Sequence, residues 1–486
     1  MSKKSVIILA LILLISTLLG WSVLTRGHWW GDDFAAYIMQ AKSILAGNMD
    51  EFVAANTFTV TQSSHQIGPA AYPWGFPLML TPVYALIGLS PLALKLPGLL
   101  TYLGFLLVFF YLTKRRFSLP ESLLAVSLFA FNPELLRFLD NIASDIPFLF
   151  LSTLVLLLAD MYIQKAEPMR KLWLAALIGV AIFAAVFVRT QGLILMGAML
   201  LFQGIRFLGK REQRRQLFVD SLIIVVFFGI PWGISALIFP GGQTSYLALY
   251  SGFSMDTLIG NIVSYSQVFR EFFATLPGQT IFFSIFAVLL FIGLVAQIKA
   301  DLLFIIYVAL YLIVLWTWPE WQGYRFLFPM LPIFIYFSIQ GIRVVLGRVK
   351  ENQKAILQKG IYAFLLLIVF IFVYNAGLNA YGNLRDERQI NGPFDPYSIE
   401  TYEFIKENTS PDSVIIFFKP RAMHLMTERN SLALTQCERL PEGDYLALSK
   451  KVGENLQIPP ERIQECNLPL ERVFQNRRFI VYQVLD

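Results

Sequence analysis

The chain has 486 residues, of which 56% are hydrophobic and 15% charged, a balance too apolar for an ordinary soluble domain and typical of repeated membrane crossings. Its net charge of +6 does not point to nucleic acid, because the Lys and Arg residues fall in short clusters between apolar runs, as they do in cytoplasmic loops. Cys437 and Cys466, the only cysteines, both lie in the polar C-terminal part; they pair if that part faces an oxidising compartment and otherwise stand as two thiols.

Lys3 and Lys4 lead into about twenty apolar residues ending near Leu24. The run is long enough to cross a bilayer and no small-x-small cleavage site follows it, so it reads as an uncleaved first helix over 5–25. About 30 Å of hydrocarbon needs roughly twenty residues at 1.5 Å each. By that measure further spans lie at 91–112, 121–139, 146–163, 172–189, 192–208, 217–239, 280–298, 302–318, 327–346 and 361–380. The fold class is therefore mainly α: a polytopic helix bundle of about eleven transmembrane helices.

Each span moves the next loop to the other side. With this count, Lys3-Lys4, Lys114-Arg115-Arg116, Lys165 with Arg170-Lys171, Lys210-Arg211 with Arg214-Arg215, Lys299, and the cluster from Arg348 to Lys359 share one side. The positive-inside rule makes that side the cytoplasm. The opposite, extracytoplasmic side receives 26–90, the turn from Asp140 to Asp145, Arg189-Thr190-Gln191-Gly192, the loop 240–279, Trp318 to Arg325, and everything after about Tyr381.

In the first outer loop, Phe34, Tyr37, Ile38, Ala41, Ile44 and Leu45 recur at three- and four-residue spacing. This predicts a helix over 33–46 lying along the membrane surface and ended by Gly47-Asn48. The apolar piece 78–89, after Tyr72-Pro73-Trp74-Gly75-Phe76-Pro77, is too short to cross comfortably and predicts a second helix at or partly in the membrane. Beyond 381, a helix at 396–408 and strands at 413–418, 431–435, 445–448 and 479–485 predict a small soluble α/β domain over 381–486, after a membrane domain over 1–380.

The unusual polar residues gather on the outer side. Asp32 and Asp33 follow Trp29 and Trp30 directly. One aspartate would serve as a helix cap; the second carboxylate at a membrane face points to catalysis, as a general base taking a proton from an attacking hydroxyl. Asp140 and Asp145 occupy the next outer turn. Either they form a solvated turn in which Asp145 caps a helix, or they meet Asp33 over one cavity. In that cavity Asp33 and Asp145 would be a base with an orienting carboxylate, or hard-oxygen ligands of a divalent metal.

Arg189 and Arg325 are scarce outer cations. Snorkelling to lipid headgroups accounts for either, but a guanidinium fork also matches phosphate oxygens. Tyr324 adjoins Arg325 and joins it as a donor-phosphate candidate, and Glu320 together with Tyr37, Tyr72 and Trp74 are candidates to flank a sugar. The chain has no His-x-x-x-His pair, no phosphate loop of the ATPase type and no Gly-x-Ser-x-Gly elbow. A zinc hydrolase, an ATP-driven reaction and a serine hydrolase are thereby disfavoured, and an activated lipid-linked donor fits.

Five motifs in this order, Gly31-Asp32-Asp33-Phe34-Ala35-Ala36-Tyr37, Tyr72-Pro73-Trp74-Gly75-Phe76-Pro77, Asn132-Pro133 with Ser144-Asp145-Ile146-Pro147, Arg189-Thr190-Gln191-Gly192, and Tyr324-Arg325-Phe326-Leu327-Phe328-Pro329, resemble the GT-C superfamily of membrane glycosyltransferases. The likeness is to the branch that includes protein O-mannosyltransferases and the aminoarabinose transferases of lipid A. It implies transfer of a sugar from a polyprenyl-phosphate donor to a protein, lipid or glycan acceptor at the outer face of a cell membrane. The family's acidic first-loop residue, four before a tyrosine, matches Asp33 and Tyr37; Asp145 matches a second acidic loop position and Arg325 a contact to the donor phosphate. Lys419-Pro420-Arg421 resembles a feature of related C-terminal domains. Two rival readings stand beside it: a transporter or flippase of the same lipid-linked sugars, and a non-catalytic envelope assembly or sensor protein with the C-terminal domain as its binding module.

Overall fold

The computed structural model describes residues 3–65, 67–164, 168–241, 253–319, 321–386, 388, 390–452 and 456–485. Among them, nine helices are long and apolar enough to cross a membrane: Lys3–Ser22 (α1), Pro91–Lys114, Asp145–Gln164, Lys171–Val188, Thr190–Gly209, Arg211–Ile238, Gln279–Gln297, Tyr324–Arg348 and Glu351–Arg385. The predicted spans 121–139 and 302–318 appear as shorter apolar helices, Leu119–Ala130 and Leu302–Thr317. Local chemistry sets the first of these stops. Asn132 accepts hydrogen bonds from the backbone N–H of Glu134 and Leu135 (both 3.1 Å), and Pro133 follows it. This is a helix start inside the predicted span, because the cap satisfies the donors a new helix exposes and proline has none to give.

Aromatic and aliphatic side chains from all along the membrane part form one continuous core. Gly293 and Gly341 set its tightest contact: a Cβ on Gly341 would stand 1.9 Å from the Leu289 carbonyl oxygen, and one on Gly293 2.0 Å from that of Phe337. The helices carrying them therefore meet backbone to backbone, the small-residue packing that lets membrane helices associate without a hydrophobic drive between them. Outward, Phe218, Leu222, Ile230 and Leu237 are exposed on one helix, and Val288, Phe291 and Val295 on another. Surfaces of that extent and apolarity suit lipid rather than water.

At one end of the bundle the chain between the first two long helices builds three more: Asp33–Ala46 (α2), Met49–Gln62 (α3) and Gly75–Ile87 (α4). α2 has the predicted limits and ends at Gly47 in the left-handed conformation (φ 71°), which glycine adopts without a Cβ penalty. Its position differs from the expected surface helix. Phe34 to Ala41 and Ser43 are all buried, because α4 covers one side and the helix Pro420–Thr427 of the C-terminal domain another. A stripe of apolar residues reports one covered face; the small Ala35, Ala36 and Ala41 let neighbours close on the others.

The C-terminal domain carries a five-stranded sheet of β1 (Val414–Ile416), β2 (Asn430–Leu432), β3 (Tyr445–Ser449), β4 (Leu470–Gln475) and β5 (Phe479–Val484), in the order β2-β1-β3-β5-β4. β1 is parallel to β2 and β3, and β5 runs antiparallel to β3 and β4. The helix Pro396–Asn408 stands where it was expected, with Asp395 capping Tyr397 and Ser398. β4 was not foreseen: Leu-Glu-Arg-Val-Phe-Gln is an edge strand with no buried residue and a register shift between Arg472 and Phe474, so it shows little alternation. Cys437 and Cys466 form a disulfide, as chains exposed to an oxidising compartment commonly do.

Candidate active site

A cleft of about 500 Å³ opens where the α1–α2 turn, the segment before α4, the turn before Asp145–Gln164, Arg189, Arg325 and the C-terminal domain converge. Asp33 stands on it at the first position of α2. Its Oδ1 accepts a hydrogen bond from the Tyr72 hydroxyl (2.6 Å), and its Oδ2 faces Arg325 Nη1 at 3.3 Å. Residues 292 apart in sequence thus meet. The second Arg325 nitrogen donates to Gln322 Oε1 (2.6 Å), which aims the fork along the cleft wall.

Asp32 occupies the N-cap position but makes no capping hydrogen bond. It is buried, with Oδ2 3.5 Å from Lys419 Nζ and Oδ1 without a hydrogen-bond partner. The adjacent carboxylates are therefore tuned in opposite directions. Burial pushes Asp32 above the usual carboxylate range, against the pull of Lys419 and Arg421. Burial acts on Asp33 as well, but Arg325, the Tyr72 hydroxyl and Arg421 together outweigh it and hold Asp33 below that range.

The remaining expected residues separate into those on the cleft and those away from it. Tyr37 lines it and bonds through its hydroxyl to Ser144 Oγ (3.0 Å). Tyr72 also lines it, its backbone held by Gln40 at 2.9 and 3.2 Å. Arg189 lines it too, with Nη1 2.5 Å from Asp145 Oδ1 and Nε 3.0 Å from Gln191 Oε1. Asp145 itself is buried behind Arg189. Trp74 does not face the cleft: its indole donates to the Pro240 carbonyl (3.0 Å) and stacks on Phe239. Tyr324 turns into a neighbouring cleft of about 390 Å³ with Glu134, Glu271 and Arg388. Glu320 lies outside the described residues.

Asp140 belongs elsewhere. It is buried and bound to Lys95 Nζ (2.6 Å) and to the Thr25 amide and hydroxyl (2.7 and 3.0 Å), while Lys95, also fully buried, donates to the Thr25 and Gly27 carbonyls. The pair anchors the start of the first loop beneath the cleft. Lys95→Met strands the carboxylate in a buried site and is expected to lower stability by about 3–5 kcal/mol, read as a fall in the melting temperature of the detergent-purified protein. Fluorescence-detected thermal unfolding checks it; an unchanged midpoint would show the pair to be dispensable.

Sequence reading passed over His28, Ser144, Gln322 and Arg421 as site components. His28 stacks on Phe34 with ring centroids 4.2 Å apart and accepts the Ile142 amide at Nε2 (3.0 Å). Burial lowers its pKa to about 4, so it is neutral in the working range and adds no charge. A second charged group lies far from the cleft, where Arg115 and Arg116 clasp Asp160 at 2.6 Å. Asp160 is fifteen residues along the helix from Asp145, about 22 Å at 1.5 Å per residue. The arginines there belong to the basic clusters whose common side the sequence predicted.

No protein-family model and no curated protein matches the sequence. Solved structures do. The chain is similar to ArnT from Cupriavidus metallidurans bound to undecaprenyl phosphate, at 12% identity and a TM-score of 0.64, over 99% of this chain and 98% of that one. It is also similar to the archaeal oligosaccharyltransferase AglB from Archaeoglobus fulgidus in complex with an inhibitory peptide and a dolichol-phosphate, at 14% identity and a TM-score of 0.56, over 92% of this chain and 70% of that one. At such identities the likeness is one of fold. The chain shares the overall fold of these two membrane proteins.

Proposed function

We propose that the protein is a membrane glycosyltransferase that moves a sugar from a polyprenyl-phosphate-linked donor to a hydroxyl of a protein, lipid or glycan acceptor at the extracytoplasmic face of a prokaryotic plasma membrane, with Asp33 as general base. The observation that carries this reading is the convergence of Asp33 and Arg325, 3.3 Å apart, on one cleft. It is joined by a shared fold with proteins solved with undecaprenyl phosphate and dolichol-phosphate.

The charges suit an anionic ligand. Arg189, Arg325 and Lys419 line the cleft, and among the described residues the acids that do so are Asp32 and Asp33. A donor phosphate entering beside Arg325 competes with Asp33 for the guanidinium, and each gain follows from that exchange. Arg325 moves onto the phosphate oxygens, where it stabilises the charge that grows on the leaving group. Asp33 loses its strongest electrostatic brake and becomes a better base as the acceptor arrives. The bond between the anomeric carbon and phosphate oxygen breaks, the acceptor heteroatom bonds to that carbon from the opposite side, and its proton passes to Asp33. A single displacement of this kind inverts the anomeric centre.

A resident dication does not fit the donor set. Asp33 is matched by Arg325 and Asp145 by Arg189, and among the described residues no group of three His, Cys, Asp or Glu side chains is placed to hold a metal. The transporter reading draws less support, since the buried Asp220, Tyr162 and Gln203 network sits near the helix ends away from the cleft and offers no charged path between the two faces.

Mass spectrometry of cell-envelope lipids, glycans and proteins with and without the gene tests the reading. The expected result is loss of one sugar-modified species and accumulation of its unmodified acceptor. Identical envelopes under conditions of verified expression would contradict it.

A further inference from the structure

The C-terminal domain sends one side chain deep into the first loop. Arg421 is fully buried. Its Nε donates to Asn56 Oδ1 (3.0 Å), Nη2 to the Pro69 carbonyl (2.5 Å), and Nη1 to the Ile67 carbonyl (3.1 Å) and the Tyr72 hydroxyl (3.4 Å). All four acceptors are neutral, and among the described residues no carboxylate touches the guanidinium. A plain staple between domain and loop would account for the carbonyl contacts. The buried charge is balanced across a short distance by the Asp32 and Asp33 carboxylates, both of which it draws down.

The hydroxyl contact ties that cation to Asp33 through Tyr72. Arginine can only donate and an ionised carboxylate can only accept, so the Tyr72 oxygen accepts from Arg421 at 3.4 Å and the Tyr72 hydrogen goes to Asp33 Oδ1 at 2.6 Å. The direction of the chain Arg421→Tyr72→Asp33 is thereby fixed. Room for the hydroxyl is made by Gly68, at φ +104°, where a Cβ would stand 2.7 Å from the Tyr72 oxygen and 3.5 Å from Arg421 Nη1. Two residues before Arg421, Lys419 faces Asp32. The one turn of the C-terminal domain thus reaches both adjacent carboxylates.

Building on the transferase reading, we propose that the C-terminal domain completes the active site, with Arg421 as a positioning residue that holds the Tyr72 hydroxyl in place as donor to Asp33 and so keeps that carboxylate facing the acceptor. Arg421 touches neither donor nor acceptor. Its loss therefore lowers kcat and spares the donor KM.

The test measures release of free polyprenyl phosphate by the full-length protein in vesicles, from a polyprenyl-phosphate-linked sugar, for wild type, Tyr72→Phe, Arg421→Met and the double variant, with thermal unfolding as the folding control. Misplacing a reacting group by about 1 Å costs up to about 100-fold, so each single variant is expected to lose about 10- to 100-fold in kcat with less than about a threefold change in donor KM. The double variant is expected to be no worse than the poorer single one, because both break the same chain. Losses that multiply, or an Arg421→Met variant with wild-type kcat, overturn the proposal. Where Arg421→Met does not fold, Arg421→Lys replaces it: it keeps the charge but not the fork, and is expected to cost about tenfold alone and nothing further in the Tyr72→Phe background. Absence of release by the wild type would instead count against the transferase reading itself.

Discussion

Replacing Asp33 by Asn is expected to lower kcat by about 10²- to 10⁴-fold, the usual contribution of a positioned general base, while the protein still folds. Asn keeps the size of the side chain and an oxygen that can accept from Tyr72, so the packing of α2 between α4 and the C-terminal domain survives. What disappears is a site for the acceptor's proton. Binding of the donor is expected to change little, because Arg325 is released from its carboxylate partner and remains available to phosphate. Steady-state kinetics with donor and acceptor varied separately provide the check; equal losses in kcat and in donor affinity would mean that Asp33 holds the site together and does not act as base.

The second large effect is expected from Arg325→Lys. It keeps the charge and loses the planar fork, whose nitrogens serve Asp33 and Gln322 in the resting state. Lysine is not equivalent at such a site, and losing one preorganised donor to a developing oxyanion costs about 10²- to 10³-fold in kcat. A second signature follows from Asp33. Burial raises its pKa, and Arg325 is the largest influence bringing it down. A carboxyl held low is ionised, and able to serve as base, down to a pH below the ordinary aspartate range, and activity falls only as pH drops through that lowered value. Weakening the arginine contact lets burial prevail, so the acid limb of the kcat/KM profile, which reports the free enzyme, is expected to move to higher pH. An acid limb that stays in place would separate Arg325 from Asp33 in solution.

What the sequence discloses and what it conceals divide along physical lines. The limits of α2 are legible because Asp33, the apolar spacing and Gly47 are local signals. Its place under the C-terminal domain is not, since nothing local tells which surface will cover a helix. Asp33 and Arg325 are legible as rare polar residues at one face of apolar spans, although 292 positions separate them. Asp140 carries the same signal and misleads, because its partner Lys95 hides in the first turn of an apolar run and reads as part of a span. Trp74 and Tyr324 are aromatic residues at motif positions, and only packing tells which wall of a cleft an aromatic ring serves. Arg421 is the hardest to read: a charged residue in a soluble domain is usually solvated, and its guanidinium is held by groups of the first loop more than 350 positions earlier.

The central claim is chemistry at the Asp33–Arg325 cleft, and one measurement tests it most directly. The purified chain in vesicles is supplied with a polyprenyl-phosphate-linked sugar and an envelope extract as acceptor, and free polyprenyl phosphate is quantified against the Asp33→Asn variant. Release in step with sugar incorporation by the wild type, and little by the variant, is the predicted result. Movement of the intact lipid-linked sugar across the vesicle membrane with no polyprenyl phosphate released would contradict it.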